Sequence, residues 1–236
     1  PLTGKDRTPA WVPERQLREI FLPPFAAAVE AGAATVMVNS GEINGIPVHV
    51  DHHILTEILR DELGFEGLVV TDWEDIRYLF SRHKVAADYK DAIEMAIMAG
   101  IDMSMVPTDT QFPVLLAELV REGRIPESRL DLSVRRILGV KYDRGLFDNG
   151  GVPPSLEDYP NKADLEGGAA LAARKSITLL KNEGSQSNSA ALPIGDKGRI
   201  LVTGPTANSL NALNGGWTGT WQGTDPKYST PGRPTA

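Results

Sequence analysis

Three short apolar segments recur along the chain at a constant interval, and this interval constrains the fold more than any other feature. The segments TVMVN, LVVTD and IDMSMV begin at residues 35, 68 and 101, so 33 residues separate each start from the next. Each segment is as short and as apolar as a strand that is covered on both faces of a sheet. We therefore predict strands at 35–39, 68–72 and 101–106.

Helical patterns fill the intervals between these segments. The first interval carries an apolar stripe at helical spacing, formed by Ile54, Leu55, Ile58, Leu59 and Leu63. Asp51 stands in front of that stripe and is the expected N-cap. Residues 88–100 and 111–123 have helical patterns that each close on a glycine, and a last helix is predicted roughly over 127–142.

The alternation of strands and helices predicts parallel βα units. Residues 13–32, before the first strand, are predicted to be helical with a break at Pro23 and Pro24. Two architectures fit, an open doubly wound sheet and a (β/α)8 barrel. Three units are too few for a barrel, and the chain starts without Met and ends within PGRPTA, so we expect both ends to be cuts. No glycine-rich phosphate loop follows a strand, which disfavours nucleotide binding.

The composition changes after the last predicted helix. DNGGVPPSLEDYPNK is rich in Gly and Pro and is typical of an interdomain linker. A second αβ pattern follows, with a helix in DLEGGAALAARKS and strands in ITLLKN and RILVTG. We predict one domain over 1–148, a linker over 149–163, and the beginning of a second domain over 164–236.

Charge and cysteine content exclude several classes of function. The net charge is −7, whereas binding of a nucleic-acid backbone needs clustered Lys and Arg. The chain has no cysteine, which excludes disulfides, thiolate nucleophiles and zinc sites with sulfur ligands. No apolar run is long enough to predict a membrane span.

The end of the second predicted strand carries the leading candidate for chemistry. In parallel βα folds the active site lies at the carboxyl ends of the strands, and Asp72 stands at such an end with Trp73 behind it. Asp72 could bind a metal, act as a base, act as a nucleophile, or only cap the next helix. Glu74 and Asp75 have the position of first-turn helix charges.

The histidines and tryptophans refine this interpretation. His49, His52 and His53 lack the spacing of a helical metal pair, and the last two are predicted to face solvent at the start of a helix. Trp73 next to a carboxylate suits the apolar face of a sugar ring. GGWTGTWQG adds Trp217 and Trp221 in a glycine-rich stretch, which are either core anchors or part of a binding surface.

Several motifs together resemble glycoside hydrolase family 3. LRDELGFEGLVVTDWEDI is similar to the nucleophile motif of that family, with Thr71 where Ser is common. The similarity continues, in family order, through VMVNSGEINGIPVH, AIMAGIDMSMVP, VRRILGVKYDRGLF, ARKSITLLKN, LPI and GGWTGTWQG. Within the family the chain most resembles β-glucosidases and exo-β-glucanases of the two-domain type.

The resemblance implies both a fold and a mechanism. The fold would be α/β: the C-terminal part of a (β/α)8-like (TIM) barrel, followed by the start of an α/β sandwich domain. The activity would be that of a retaining β-glucosidase acting on β-glucoside oligosaccharides, without metal or organic cofactor. Asp72 matches the nucleophile, Trp73 a neighbouring sugar contact, and Trp217 and Trp221 a pair of indoles that encloses the next sugar.

Three departures from the family pattern stand out. The Lys-His substrate motif of the family would lie before Pro1, and the acid/base Glu is expected beyond Ala236. Many relatives have a Tyr near the position of Ser40, where this chain has VNSGEING. That contact to the nucleophile is therefore either lost or supplied differently.

Other functions remain open on the sequence alone. Another family 3 specificity, such as β-xylosidase or N-acetylglucosaminidase, is the alternative within the same class. An inactive carbohydrate-binding fragment is the alternative from a different class. By analogy with enzymes that meet plant glucans outside the cytoplasm, the expected location is periplasmic or secreted.

Overall fold

The predicted strands form one parallel sheet in the computed structural model, which describes residues 3–106, 108–148, 162–184, 190–194, 199–205, 207 and 209. The strands are β1 (Thr35–Met37), β2 (Glu42–Ile43), β3 (Ile46–Pro47), β4 (Leu68–Trp73) and β5 (Met103–Met105). The sheet has the order β1-β4-β5 with all neighbours parallel, as the constant interval predicts. Asp72 therefore lies on the central strand, near its carboxyl end.

Helices alternate with these strands as predicted. They are α1 (Glu14–Gln16), α2 (Leu22–Glu30), α3 (Asp75–Ser81), α4 (Tyr89–Ala99), α5 (Gln111–Arg121), α6 (Glu127–Asp143) and α7 (Lys162–Ser176). Two stretches, Leu17–Phe21 and His53–Glu62, are wound as π-helix, and Val48–Val50 is a 3₁₀ turn. The oxygen Oδ1 of Asp51 accepts a hydrogen bond from the amide of Ile54, which confirms its capping role.

The prolines of the first helical segment act differently from the prediction. Pro23 and Pro24 fall in the first turn of α2 instead of ending a helix. Proline cannot donate a backbone hydrogen bond, and the π-helical winding of Leu17–Phe21 directly before these residues changes the hydrogen-bond register there. The π-helical stretch Leu17–Phe21 joins α1 to α2 directly, so the chain stays helical from Glu14 to Glu30.

The core lies between the sheet and the helices that follow β4 and β5. Its fully buried side chains are Val69, Thr71, Ile76, Leu79, Ile93, Ile101, Leu119 and Ile125. Each fully buried Ile or Leu stabilises the fold by about 1.5–3 kcal/mol. Because side chains alternate along a strand, Val69 and Thr71 point to this core while Val70 and Asp72 point to the other face.

The face of the sheet opposite the helices is less covered than the prediction of strands buried on both sides requires. Met37 and Met103 lie in register with Val70 on that face and are 53% and 45% exposed. Asp72 shares this accessible face, since it lies two residues after Val70 on the same strand.

The nucleophile-like motif of the sequence fixes the start of β4. Gly67 passes so close to the backbone of Ala34 that a Cβ would collide with its carbonyl oxygen. Arg60 donates hydrogen bonds to the carbonyl oxygens of Phe65 and Gly67, at 2.8 and 2.7 Å, and its guanidinium covers the Phe65 ring. The Arg, Phe and Gly of this motif therefore anchor the strand that carries Asp72.

A buried ion cluster closes the opposite end of the sheet. Asp102 has no exposed side-chain surface and accepts from Arg60 at 2.8 Å, Arg136 at 3.0 Å and Arg129 at 3.3 Å. The hydroxyl of Ser133 also donates to it, at 2.8 Å. Asp102 thereby ties α6 and the His53–Glu62 helix to the amino end of β5.

A hairpin that the sequence analysis missed holds the N-terminal segment by backbone hydrogen bonds. Strands β2 and β3 are antiparallel, and Asn44 and Gly45 form their turn with φ angles of 53° and 84°. Both residues thus adopt the left-handed conformation of a tight hairpin turn. The amide of Ala10 donates to the carbonyl of Glu42, and the amide of Asn44 donates to the carbonyl of Ala10, each at 2.8 Å.

The chain divides into two units, Pro1–Leu156 and Glu157–Ala236. Residues 149–161 lie outside the described residues, so the bounds of the linker stay a prediction. In the second unit α7 forms where a helix was predicted. The predicted strands in 177–182 and 199–204 are not formed; Glu183 and Ala190 make a single antiparallel bridge. A strand needs a paired neighbour, and the described part of this unit offers none to these segments.

No helix within the described part of the chain is long and apolar enough to cross a membrane.

Candidate active site

At the end of β4, Thr71 stabilises the sheet and Asp72 is the candidate for chemistry. Thr71 is fully buried, and its hydroxyl accepts a 2.8 Å hydrogen bond from the amide of Met105 on β5. Asp72 points to the accessible face, with 37% of its side chain exposed. The threonine thus fixes the edge of the sheet from which the carboxylate projects.

Asp72 is surrounded by groups that favour its ionised form. The hydroxyl of Ser40 donates to Oδ2 at 2.8 Å, and the amide of Trp73 donates to Oδ1 at 2.6 Å. The guanidinium of Arg7 lies 3.5 Å from Oδ2. Partial burial favours the neutral acid, but these donors outweigh it, and the pKa of Asp72 is lowered from its ordinary value. The expected polar setting of an ionised carboxylate is therefore present.

Ser40 makes a side-chain contact to Asp72 from the neighbouring strand. It lies just after β1 and is 8% exposed, with its hydroxyl on the carboxylate. The contact to Asp72 that the sequence left open is therefore supplied by the Ser40 hydroxyl, at 2.8 Å.

Trp73 presents an indole beside this carboxylate. It is 45% exposed, and its backbone is held in register with Met105 on β5. Glu74 follows with a left-handed backbone, φ 59°, and its amide donates to the carbonyl of Met105 at 3.1 Å. A non-glycine residue in this conformation is strained by about 1–3 kcal/mol, and such strain concentrates at functional sites. The turn separates the exposed indole from α3, which begins at Asp75.

A second, buried carboxylate lies behind Asp72. Asp75 begins α3 as a first-turn charge, which agrees with the prediction, but its side chain is only 4% exposed. Its Oδ1 accepts a hydrogen bond from Arg7 Nη1 at 3.0 Å. Burial raises the pKa of Asp75 and outweighs the opposing effect of Arg7. The guanidinium of Arg7 therefore lies between two carboxylates of different exposure.

His49 completes the buried side of this arrangement. It is 3% exposed, and its Nε2 lies 3.6 Å from Oδ2 of Asp75. Burial lowers the pKa of His49 to about 4, although the charge of Asp72 acts in the opposite direction. His49 is therefore a neutral imidazole near pH 7, packed behind the site.

The other sequence candidates are located differently. His52 and His53 keep about half of their side-chain surface exposed, which confirms that they face solvent. Trp217 and Trp221 lie outside the described residues, so their roles stay predictions. Across the described ranges, no three His, Asp or Glu side chains lie close enough to hold a metal ion.

Comparison with known proteins decides the family. Residues 2–140 match the model of the glycosyl hydrolase family 3 N-terminal domain. The chain belongs to glycoside hydrolase family 3. Its first unit is thus part of an N-terminal domain of the TIM-barrel type, which agrees with the observed parallel α/β order.

Individual relatives agree with this family assignment. The lysosomal β-glucosidase of Dictyostelium discoideum is 52% identical over 226 residues, which are 94% of this chain and 27% of that protein. The periplasmic β-glucosidase of Salmonella typhimurium is 35% identical over 91% of this chain and 28% of its own length. The crystal structure of a β-glucosidase from Listeria innocua superposes with a TM-score of 0.77 at 30% identity, over 91% of this chain and 29% of that one. The family 3 chain thus spans less than a third of each of these relatives.

Sequence reasoning missed three residues of the site. Arg7 lies in an irregular segment without a motif, His49 was considered only as a metal ligand, and Asp75 was considered only as a helix charge. Their juxtaposition depends on the hairpin β2–β3 and on the short helix α3, neither of which has a strong periodic pattern. The NG dipeptide at 44–45 was the available signal, since it is typical of a hairpin turn.

Proposed function

We propose that the protein is a retaining β-glucosidase in which Asp72 is the nucleophile. The observation that carries the proposal is the setting of Asp72: an ionised, rigidly held carboxylate on the accessible face of the sheet, next to the exposed indole of Trp73. Family membership supports the same class of reaction. The relatives named β-glucosidases support terminal β-D-glucosyl residues of oligosaccharides as the substrate.

The first chemical step forms a covalent glycosyl-enzyme. A carboxylate oxygen of Asp72 attacks the anomeric carbon, the glycosidic C–O bond breaks, and the leaving oxygen takes a proton from a second carboxylic acid. In the second step that carboxylate removes a proton from water, the water oxygen bonds to the anomeric carbon, and Asp72 leaves as a carboxylate. The hydrogen bonds from Ser40 and Trp73 orient the attacking group in both steps.

Asp75 does not fit the role of the second carboxyl group. The acid/base carboxyl group lies about 5–5.5 Å from the nucleophile, and it must reach the leaving oxygen and exchange protons with water. Asp75 is buried and is engaged by Arg7 on the protein side of the site. We propose that the acid/base is a Glu that follows Ala236 in the full-length protein, and that Trp217 and Trp221 enclose the next sugar.

Trapping of the intermediate tests this proposal. The full-length protein and the present chain are incubated with a 2-deoxy-2-fluoro-β-glucoside that carries an activated leaving group, digested, and mapped by mass spectrometry. We expect an adduct on the peptide that contains Asp72, and none in the matched variant Asp72→Asn. An adduct on another peptide, or hydrolysis of an aryl glucoside without any adduct, would contradict the assignment of Asp72.

A panel of aryl glycosides tests the sugar specificity separately. A β-glucosidase hydrolyses the β-glucoside faster than the β-xyloside and the N-acetyl-β-glucosaminide. A higher kcat/KM for either of the other two would replace the proposed specificity within the same mechanism. Sugar binding without hydrolysis by the full-length protein would favour a carbohydrate-binding function instead.

We propose a periplasmic or secreted location, in line with the name of the Salmonella relative.

A further inference from the structure

Arg7 bridges the two carboxylates of the site. Its Nη2 lies 3.5 Å from Oδ2 of Asp72, and its Nη1 lies 3.0 Å from Oδ1 of Asp75. The two terminal nitrogens of one planar guanidinium thus face two different carboxyl groups, one partly exposed and one buried. A planar fork of this kind fixes direction as well as charge.

The position of Arg7 is held from several sides. Its guanidinium lies 5.5 Å from the centre of the Tyr78 ring, and its carbonyl accepts a 2.7 Å hydrogen bond from Arg82. Its backbone is left-handed, with φ 56°, which is strained for a residue with a side chain. The hairpin β2–β3 holds the following residues through Ala10. The fold therefore places this arginine at one defined point.

Asp75 has no role in the proposed reaction, and its burial is costly. Within the described residues, its Oδ2 and the Nε2 of His49 have no hydrogen-bond partner. A buried carboxylate is destabilising unless it is paired. Arg7 is the cation that donates a hydrogen bond to Asp75. The geometry therefore gives Asp75 the function of pairing with Arg7.

We infer that Asp75 is a positioning residue that holds Arg7 against Asp72 throughout the catalytic cycle. The inference rests on the proposed role of Asp72 as the nucleophile. In the glycosyl-enzyme Asp72 is a neutral ester, and its attraction for Arg7 is lost. Asp75 still accepts the 3.0 Å hydrogen bond from Nη1 of Arg7 and keeps the guanidinium in place, so that positive charge is present when Asp72 leaves as a carboxylate in the second step.

Two routes by which Asp75 could act on Asp72 predict opposite results. Asp72 and Asp75 face each other, and two further charged or titratable groups face them: Arg7 before α1 and His49 in the 3₁₀ turn. His83, after α3, acts on His49. Loss of Arg7 from the site makes Asp72 harder to ionise. Loss of the negative charge of Asp75 alone makes Asp72 easier to ionise.

The test measures kcat/KM for an aryl β-glucoside across pH in full-length protein carrying Asp75→Asn, Arg7→Gln or both. The acid limb of this profile reports ionisation of the nucleophile in the free enzyme. We expect Asp75→Asn to move the acid limb to higher pH, as Arg7→Gln does. The expected loss of kcat is on the order of 100-fold for Arg7→Gln and roughly 10- to 100-fold for Asp75→Asn, because small displacements of a catalytic group are that costly. The double variant is expected to be no slower than Arg7→Gln alone.

Three results would overturn the inference. An acid limb that moves to lower pH or stays in place in Asp75→Asn shows that Asp75 does not act by holding Arg7. Effects of the two substitutions that add in the double variant show the same. If Asp75→Asn does not fold, the inference is tested with Arg7→Gln alone. An unchanged acid limb in Arg7→Gln refutes a role of Arg7 at Asp72.

A matched control and the trapping experiment separate the possible failures. Arg136→Gln also removes an arginine from a buried aspartate, Asp102, at the opposite end of the sheet. We expect this variant to lose stability with an unchanged acid limb; a shifted limb in it would mean that weakened packing alone moves the profile, and would overturn the reading of Asp75→Asn. Labelling of Asp72 in the wild-type protein tests the proposed function, so its failure is recognised before any variant is compared.

Discussion

The hydroxyl of Ser40 donates a 2.8 Å hydrogen bond to Oδ2 of Asp72, across two neighbouring parallel strands. The two residues are 32 positions apart in the sequence and meet because β1 and β4 are paired in parallel from Thr35 and Leu68 onward. The carboxyl ends of adjacent strands thus place a donor beside the proposed nucleophile. This relationship makes Ser40 the first residue to test after Asp72 itself.

We expect Ser40→Ala to lower kcat/KM by roughly 10- to 100-fold, since hydrogen bonds to charged groups are worth about 1.5–3 kcal/mol. The acid limb of the pH profile should move to higher pH, because one donor to the ionised carboxylate is lost. Ser104→Ala is the control, since it removes a buried hydroxyl on β5 that has no hydrogen-bond partner within the described residues. Equal losses in both variants would contradict a specific role of Ser40.

Trp73 should contribute to substrate binding through its exposed ring. We expect Trp73→Ala to raise KM and to lower kcat/KM by about 1–2 kcal/mol of transition-state stabilisation, while Trp73→Phe retains part of it. Steady-state kinetics with cellobiose and with an aryl glucoside measure both parameters. Trp11→Phe changes another exposed tryptophan, which lies against Gly45 of the hairpin turn, and should leave KM unaltered. An unchanged KM in Trp73→Ala would exclude the proposed sugar contact.

Strands β1, β4 and β5 and the longer helices of the first unit followed from periodicity because each is specified locally, whereas the hairpin β2–β3 and the short helix α3 did not. The apolar run before Asp72 and the stripe that ends at Leu63 carry their own signals. The prolines at 23 and 24 were misjudged because their effect depends on how the helix is wound around them. The segments at 177–182 and 199–204 were misjudged because strand formation depends on a partner. The local sequence pattern shows neither how the helix is wound around the prolines nor whether a pairing strand is present.

The site was predictable only in part for the same reason. Asp72 and Trp73 stand next to each other at the end of a strand, so one stretch of sequence contains both. Arg7 and Ser40 reach Asp72 from other segments, which are brought there by the hairpin and by the register of β1 with β4. A single sequence gives no measure of such distances between remote positions.

Breaking the ion cluster around Asp102 should destabilise the first unit strongly. Asp102→Ala leaves three arginines without their shared buried partner, and we expect the free energy of unfolding to fall by about 3–5 kcal/mol. Urea unfolding of the full-length protein, followed by circular dichroism, measures the change. Asp91→Asn is the control: it weakens a surface pair with Arg124 and should cost less than about 1 kcal/mol. Similar losses in the two variants would show that the cluster is not a stabilising centre.

His49 should make the protein less stable in mild acid. Its pKa is lowered to about 4 in the folded state by burial, whereas an exposed histidine titrates near pH 6.5. The unfolded chain therefore binds the proton first as the pH falls, so stability is complete above pH 6.5 and is lost progressively between about pH 6.5 and 4. The full loss from this residue is about 3 kcal/mol.

The variant His49→Gln isolates this contribution from the other titrating groups. Asp75, whose pKa is raised by burial, acts in the opposite direction, because its contribution is present below its unfolded pKa and is lost as pH rises through the folded one. The difference in unfolding free energy between wild-type protein and His49→Gln is measured by urea titration from pH 4 to pH 8. We expect the wild-type protein to lose stability relative to the variant as the pH falls. A difference that is constant with pH would mean that the pKa of His49 is the same in the folded and the unfolded protein, and a gain of wild-type stability in acid would mean that folded His49 is held as a cation by Asp75.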